Sequence, residues 1–169
     1  MQLIYYPDPR LTRRAEEIAR VDDDIRAKAE RMIEIMHEKR GIGLAANQVG
    51  WLGRLIVIDP TAEVGRETVI VNPEIVEQTG RITGEEGCLS LPGVYAEVTR
   101  AAKVTVRGLD LQGEPIEIEA EGLQSVVLQH EIDHLDGILF IAKISPADRA
   151  RHRKRLAELD REFGAAADA

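Results

Sequence analysis

Two imidazoles and a carboxylate stand within five residues of one another in Q-H-E-I-D-H, residues 129–134. On a helix advancing ~100° per residue, His134 falls about 40° from His130, so both rings leave one face a turn apart. Two neutral ring nitrogens at that spacing can hold one metal ion. Glu131 lies at about +100° and Asp133 at about −60°, so the wheel alone does not choose a proton acceptor. The H-E-x-x-H pattern does choose: it sets the Glu where it takes a proton from a water held by the metal. Asp133 is then left to orient a ligand or neutralise an Arg.

A site of this kind needs a third protein ligand. Cys88 sits in GEEGCLSLPG, where Gly84, Gly87 and Pro92 let the chain bend and present a side chain. Its plain alternative is a small buried hydrophobe. Another candidate is Glu158, downstream, as in metallopeptidases with a distant third carboxylate. Arg149, Arg151, Arg153, Lys154 and Arg155 surround it, which favours surface ion pairs. A Cys88 nucleophile activated by a His is a further scheme, and it leaves Glu131 without a task. A non-catalytic metal domain needs a fourth side-chain ligand. His37 and His152 lie outside the motifs and do not supply one.

Gly41-Ile-Gly-Leu-Ala-Ala-Asn-Gln48 is the other dense segment. No Lys-Ser/Thr follows it, so it is not a phosphate loop. It reads as a loop whose small residues allow close approach of a substrate backbone, with Gln48 able to offer an amide N–H to an oxyanion.

The elements that must position these residues form an α+β pattern. Short antiparallel strands pack around a central metal-binding helix, with an N-terminal and a C-terminal helix added. Residues 22–39 read as a helix: Asp22, Asp23 and Asp24 at the start, Ile25, Ala29, Met32 and Met36 on one face, Gly41 as C-cap. RLIVID (54–59) and TVIV (68–71) read as strands, the second ended by Asn72-Pro73. Val104, Val106, Ile116 and Ile118 alternate about Asp110–Gly113 as a hairpin. Residues 122–136 form the metal-bearing helix, stopped by Gly137. Leu128, Ile132 and Leu135 face the core, while Leu123, Val126 and Val127 share the histidine face and make an apolar wall. A last helix starts at Ser145-Pro146 and carries Leu156, Leu159 and Phe163 on one face.

Composition narrows the function. The 169 residues carry a net charge of −8, so no sequence-wide basic field exists for sequence-specific nucleic-acid binding. One cysteine excludes an internal disulfide, and no apolar run reaches the ~20 residues of a membrane span. The start lacks the pattern of a secretory signal. The expectation is one soluble, cytoplasmic catalytic domain over 1–169, with 164–169 a frayed tail. Residues 146–163 hold six Lys or Arg against four carboxylates, a solvated face or a contact surface.

Taken in order and spacing, G-I-G-L-A-A-N-Q (41–48), E-G-C-L-S (86–90) and Q-H-E-I-D-H (129–134) resemble the three signature motifs of the peptide deformylase family, and PDPRL (7–11) is similar to its opening. The resemblance covers essentially the whole chain, including a C-terminal helix like that of a bacterial subgroup. It implies Cys88, His130 and His134 as ligands of one divalent metal with water fourth, and Glu131 as general acid/base. It also implies Gln48 and the Leu89 N–H as oxyanion donors and Gly43 beside the formyl group. The implied activity removes the formyl group from the N-terminal formylmethionine of nascent chains, releasing formate. Fe²⁺ is the family's frequent metal, and Zn²⁺, Ni²⁺ or Co²⁺ suit the same ligands. A methionine side chain fits the wall of Leu123, Val126 and Val127, with Ile42 as a fourth member. Many members have an Arg where this chain has Tyr95. A ribosome contact through the C-terminal helix is a further implied partner.

Overall fold

The computed structural model describes residues 1–164. Its α+β architecture has a five-stranded antiparallel sheet, a separate two-stranded ribbon and four α-helices. Helix α1 (Asp23–Glu38) begins where the Asp22 side chain accepts the Ile25 N–H, and Ile25, Ala29, Met32, Ile35 and Met36 are its buried stripe. Its end differs from the expectation. Arg40, not Gly41, takes the left-handed conformation (φ 55°), while the Gly41 and Arg40 N–H groups donate to Met36 O and His37 O. That pair of bonds satisfies the open carbonyls of the last turn.

The segment expected as a loop after α1 is ordered. Gly43–Ala45 is strand β1, and Ala46–Val49 closes into a 3-10 turn. Strand β1 pairs with β2 (Leu55–Ile58), whose four residues are all buried. Next comes β3 (Thr68–Thr79), which runs past Asn72-Pro73 instead of ending there. A register shift between Val71 and Glu74 absorbs the proline. Asn72 takes φ 51° at that bulge, and its side chain bonds both the N–H and the carbonyl of Ile18. Strands β6 (Lys103–Leu109) and β7 (Pro115–Glu121) complete the sheet in the order β1-β2-β3-β6-β7 and form the expected hairpin.

Helix α2 (Gly122–Leu135) follows β7 directly and lies against the sheet, with Leu128, Ile132 and Leu135 in the main core. Gly137 ends it at φ 75°; a Cβ there would stand 2.5 Å from Thr12 O, so the position excludes other residues twice over. The ribbon of β4 (Ile82–Gly87) and β5 (Tyr95–Arg100) has no clear apolar alternation in ITGEEG and was not foreseen from the sequence. It holds Cys88 just beyond its first strand.

The C-terminal segment is two helices, not one. Helices α3 (Pro146–Arg151) and α4 (Arg153–Phe163) meet at His152 (φ −88°, ψ 0°), with Ser145 capping α3 as expected. A second apolar cluster unites Leu159 with Leu11, Leu91, Val94 and Phe140, and Phe163 stacks on Tyr5 at 4.4 Å between ring centres. Gly164 is helical in backbone and caps α4; the rest of the expected tail, 165–169, lies outside the described residues. Among the described residues no helix is long and apolar enough to cross a membrane.

Candidate active site and metal centre

The inner face of α2 brings His130 and His134 together, and the end of β4 delivers Cys88 to them. His134 Nε2 lies 3.2 Å from His130 Nε2 and 3.3 Å from Cys88 Sγ. Tetrahedral bonds of ~2.0–2.1 Å to nitrogen and ~2.3 Å to sulfur set ligand atoms roughly 3.3–3.6 Å apart. The three donors therefore have the spacing and the soft-plus-borderline chemistry of a metal site.

One of the two imidazoles is already oriented. His130 Nδ1 donates to Glu86 Oε2 at 2.8 Å, which turns the Nε2 lone pair toward the other donors. His134 Nδ1 is buried with no partner among the described residues. Burial opposes a charge on His130, yet bonding to Cys88 and Glu86 raises its pKa to about 10. His134 is driven well below its ordinary value, by burial first and then by the charges of His130 and Arg100.

On the ribbon side, Glu86 is buried, and burial alone would raise its pKa. Bonds from His130 and Arg100 outweigh this and hold it down at about 2. Arg100 is 5% exposed; its guanidinium grips both Glu86 oxygens at 2.5 and 2.9 Å and Asp133 Oδ2 at 2.8 Å. Lys143 Nζ adds a contact of 2.9 Å to the same Asp133 oxygen. Asp133 thus neutralises an Arg, one of the two tasks open to it. The sequence reading missed Glu86 and Arg100. Glu86 had a signal: it precedes Cys88 by two residues, the spacing of one strand face. Arg100 had none, since its partners lie 14 and 33 positions away.

Next to this centre opens a cavity of about 580 Å³, and Glu86 and His130 are part of its lining. Gly43, Ile42, Leu123, Val126, Val127 and Leu89 line it together with Cys88, Gln48 and Glu131, so the proposed wall and donors meet in one place. Leu123 is 54% exposed and forms the rim, as does Tyr95. Gln48 is buried; its Oε1 accepts the Ala45 N–H at 2.9 Å, which aims Nε2 at Ser90 Oγ (3.2 Å) and Cys88 Sγ (3.4 Å). Glu131 is 5% exposed, and Oε2 has no partner among the described residues. Burial pushes its pKa up to about 7 against the pull of His130 and Arg100. A Cβ on Gly43 would stand 2.9 Å from Glu131 Cδ and nearer still to Oε1, so the glycine makes room for this carboxylate.

Glu158 does not join the centre. It pairs with Arg155 at 3.3 Å, and among the described residues it belongs to no cluster able to hold a metal. The metallopeptidase scheme therefore loses its third ligand. A closed structural site is equally disfavoured, because the cavity reaches Cys88 and His130.

The family model for polypeptide deformylase matches residues 1–150. A peptide deformylase of Alkalilimnicola ehrlichii is 50% identical over 163 residues, 96% of this chain and 92% of its own length. The crystal structure of a peptide deformylase from Legionella pneumophila superposes with a TM-score of 0.89 at 45% identity, covering 95% of each chain. One from Plasmodium falciparum gives 0.93 at 38% identity, covering 97% of this chain and 98% of its own. Fold, motifs and coverage agree along the length of the sequence: the chain is a hydrolase and belongs to the polypeptide deformylase family.

Proposed function

We propose that this chain removes the N-formyl group from the formylmethionine that begins nascent polypeptides, releasing formate, and that residues 1–169 act as one catalytic domain in the cytoplasm. The observation that carries the proposal is the buried Glu131 oxygen, without a partner among the described residues, beside three converging metal donors in a largely apolar cavity. Cys88, His130 and His134 are the metal ligands, with Fe²⁺ the native ion and Zn²⁺, Ni²⁺ and Co²⁺ able to replace it. A divalent ion held there supplies Lewis acidity toward the formyl oxygen and makes hydroxide available near neutrality.

The remaining work falls to the chain. Glu131, buried beside the three metal donors, accepts a proton from the attacking water as the C–O bond forms. The same carboxyl then gives that proton to the leaving amine as the C–N bond breaks. Gln48 Nε2 and the Leu89 N–H stabilise the developing oxyanion. Gly43 faces the formyl group, and Ile42, Leu123, Val126 and Val127 receive the methionine side chain. A formyl carbon carries only hydrogen, so the crowded space between Gly43 and Cys88 rejects an acetyl group. The test is formate release from a formyl-Met peptide beside acetate release from its acetyl twin. Turnover of the first alone supports the reading; no formate from metal-loaded protein overturns it.

Helices α3 and α4 are the proposed ribosome contact. Arg153, Lys154 and Arg161 are exposed on α4, whereas Leu159 is buried in the second apolar cluster and Phe163 packs against it. Charge reversal is thus a cleaner probe than deletion. Arg153→Glu with Lys154→Glu and Arg161→Glu is expected to weaken ribosome association in a pelleting assay while free-peptide turnover holds. Unchanged association removes this partner.

A further inference from the structure

A second set of potential metal donors converges outside the cavity. His37 lies on the last turn of α1, Asp59 directly follows β2, and Glu67 directly precedes β3. One ligating atom from each lies within 4.8 Å of the other two. His37 Nε2 and Glu67 Oε1 share a hydrogen bond of 2.5 Å, a contact that an ion would replace, since ligand atoms on one tetrahedral ion stand roughly 3.3 Å apart.

Asp59 is the informative member. It is completely buried, at 0% exposure. Its Oδ1 accepts the Thr61 N–H (3.1 Å) and the Thr61 hydroxyl (2.6 Å). Its Oδ2 is buried with no partner among the described residues. The turn through Thr61 explains one oxygen and leaves the other unexplained. A buried carboxylate oxygen with nothing to accept from costs free energy that a cation would recover.

The donor set also fits a particular class of ion. Two carboxylates and a neutral imidazole carry −2, matched by one divalent cation. One nitrogen and two oxygens are ligands that Zn²⁺ takes in four-coordinate sites, with water fourth. Ca²⁺ wants six to eight oxygens, and Mg²⁺ keeps an octahedral shell, so neither suits three donors of which one is an imidazole. The His37 and Glu67 side chains are 23% and 12% exposed, which leaves a path for the ion and room for water. Gly65 donates its N–H to both Glu67 oxygens, which leads in holding that carboxyl below its ordinary range and ready to bind.

We propose that His37, Asp59 and Glu67 form a second divalent-metal site, one that takes Zn²⁺ and is separate from the Cys88–His130–His134 centre. Its role is mechanical. The Asp59 N–H donates to Ile42 O at 2.8 Å, and Ile42 lines the cavity. An ion on Asp59 therefore ties the end of α1 and the β2–β3 connection to the strand beside the reaction site.

The test counts metal, so it stands whatever the substrate proves to be. Holoenzyme is equilibrated with Zn²⁺, passed through a desalting column, and its total divalent metal measured by mass spectrometry. Wild-type protein is expected to retain two ions per chain. His37→Ala and Glu67→Gln alter side chains that lie outside the cavity and keep some exposure, so they are expected to fold, keep wild-type peptide turnover and retain one ion. Added Zn²⁺ is expected to raise the unfolding temperature of the wild-type holoenzyme and of neither variant. One ion per chain in the wild type overturns the proposal, as does a second ion that persists in either variant.

Discussion

Two sets of carboxylates around the histidines of α2, one tied to the β4–β5 ribbon and one facing the apolar part of the cavity, have opposite fates. On the ribbon flank, Glu86 and Asp133 are saturated by Arg100, His130 and Lys143, and Glu86 is held at about pKa 2. On the cavity flank, Glu131 meets apolar walls and a glycine, keeps one oxygen free among the described residues, and sits near 7. Residue type is the same for Glu86 and Glu131, and both touch the histidine site. What separates them is the number of donors around each: a satisfied carboxylate is an orienting strut, and an unsatisfied one in a largely apolar pocket can exchange a proton near neutrality.

The sharpest way to break this contrast is Glu131→Gln. Turnover is expected to fall by about 10²–10⁴-fold while metal content stays at the wild-type level. Near-normal deformylation by that variant would make the cavity flank as structural as the other. Next in size is Arg100→Met, which leaves Glu86 and Asp133 facing each other without their shared cation. A loss of about 3–5 kcal/mol in denaturant unfolding is expected. A smaller loss would mean that His130 and Lys143 suffice to hold the flank.

Glu86→Gln keeps the shape of the strut and removes its charge. Metal affinity should drop by about 10–100-fold in a competition titration, with turnover per bound ion little changed. Equal loss of turnover per ion would erase the distinction between orienting and reacting carboxylates. The mildest effect is a gain. Burial raises the Glu131 pKa from 4.5 to about 7, so the folded, metal-free protein holds a proton that the unfolded chain releases between those values. Stability therefore declines as pH rises through this window and stays lower above it. Metal-free Glu131→Gln escapes that decline and should exceed wild type by about 1–3 kcal/mol near pH 8, with no advantage near pH 4. Parallel pH curves for the two proteins would contradict the raised pKa.

Much of this contrast was invisible in the sequence, and the reason is distance along the chain. The wheel placed Glu131 and Asp133 on either side of the histidines without ranking them, and only the H-E-x-x-H pattern did so. The ranking has a physical basis in Arg100 and Gly43, 33 and 88 residues before their carboxylate partners at 133 and 131. Local patterns fared better. The stripe of α1, the buried run of β2 and the β6–β7 hairpin follow from periodicity that each segment carries by itself. Where periodicity was weak or interrupted, the reading stopped short. The β4–β5 ribbon went unread, β3 was cut at a proline that a bulge accommodates, and the C-terminal helix hid its break at His152. His37 was set aside because its partners, Asp59 and Glu67, meet it only in the fold.

Gly43 also sets a rule for redesign of the pocket. Extra bulk on that strand position competes with the Glu131 carboxyl for one volume, so the size discrimination and the proton transfer proposed for this pocket cannot be tuned separately from there. Leu123 and Val126, a turn or more ahead of the histidines on the same helix, offer the independent handle: trimming them enlarges the side-chain berth and leaves the reacting groups where they stand.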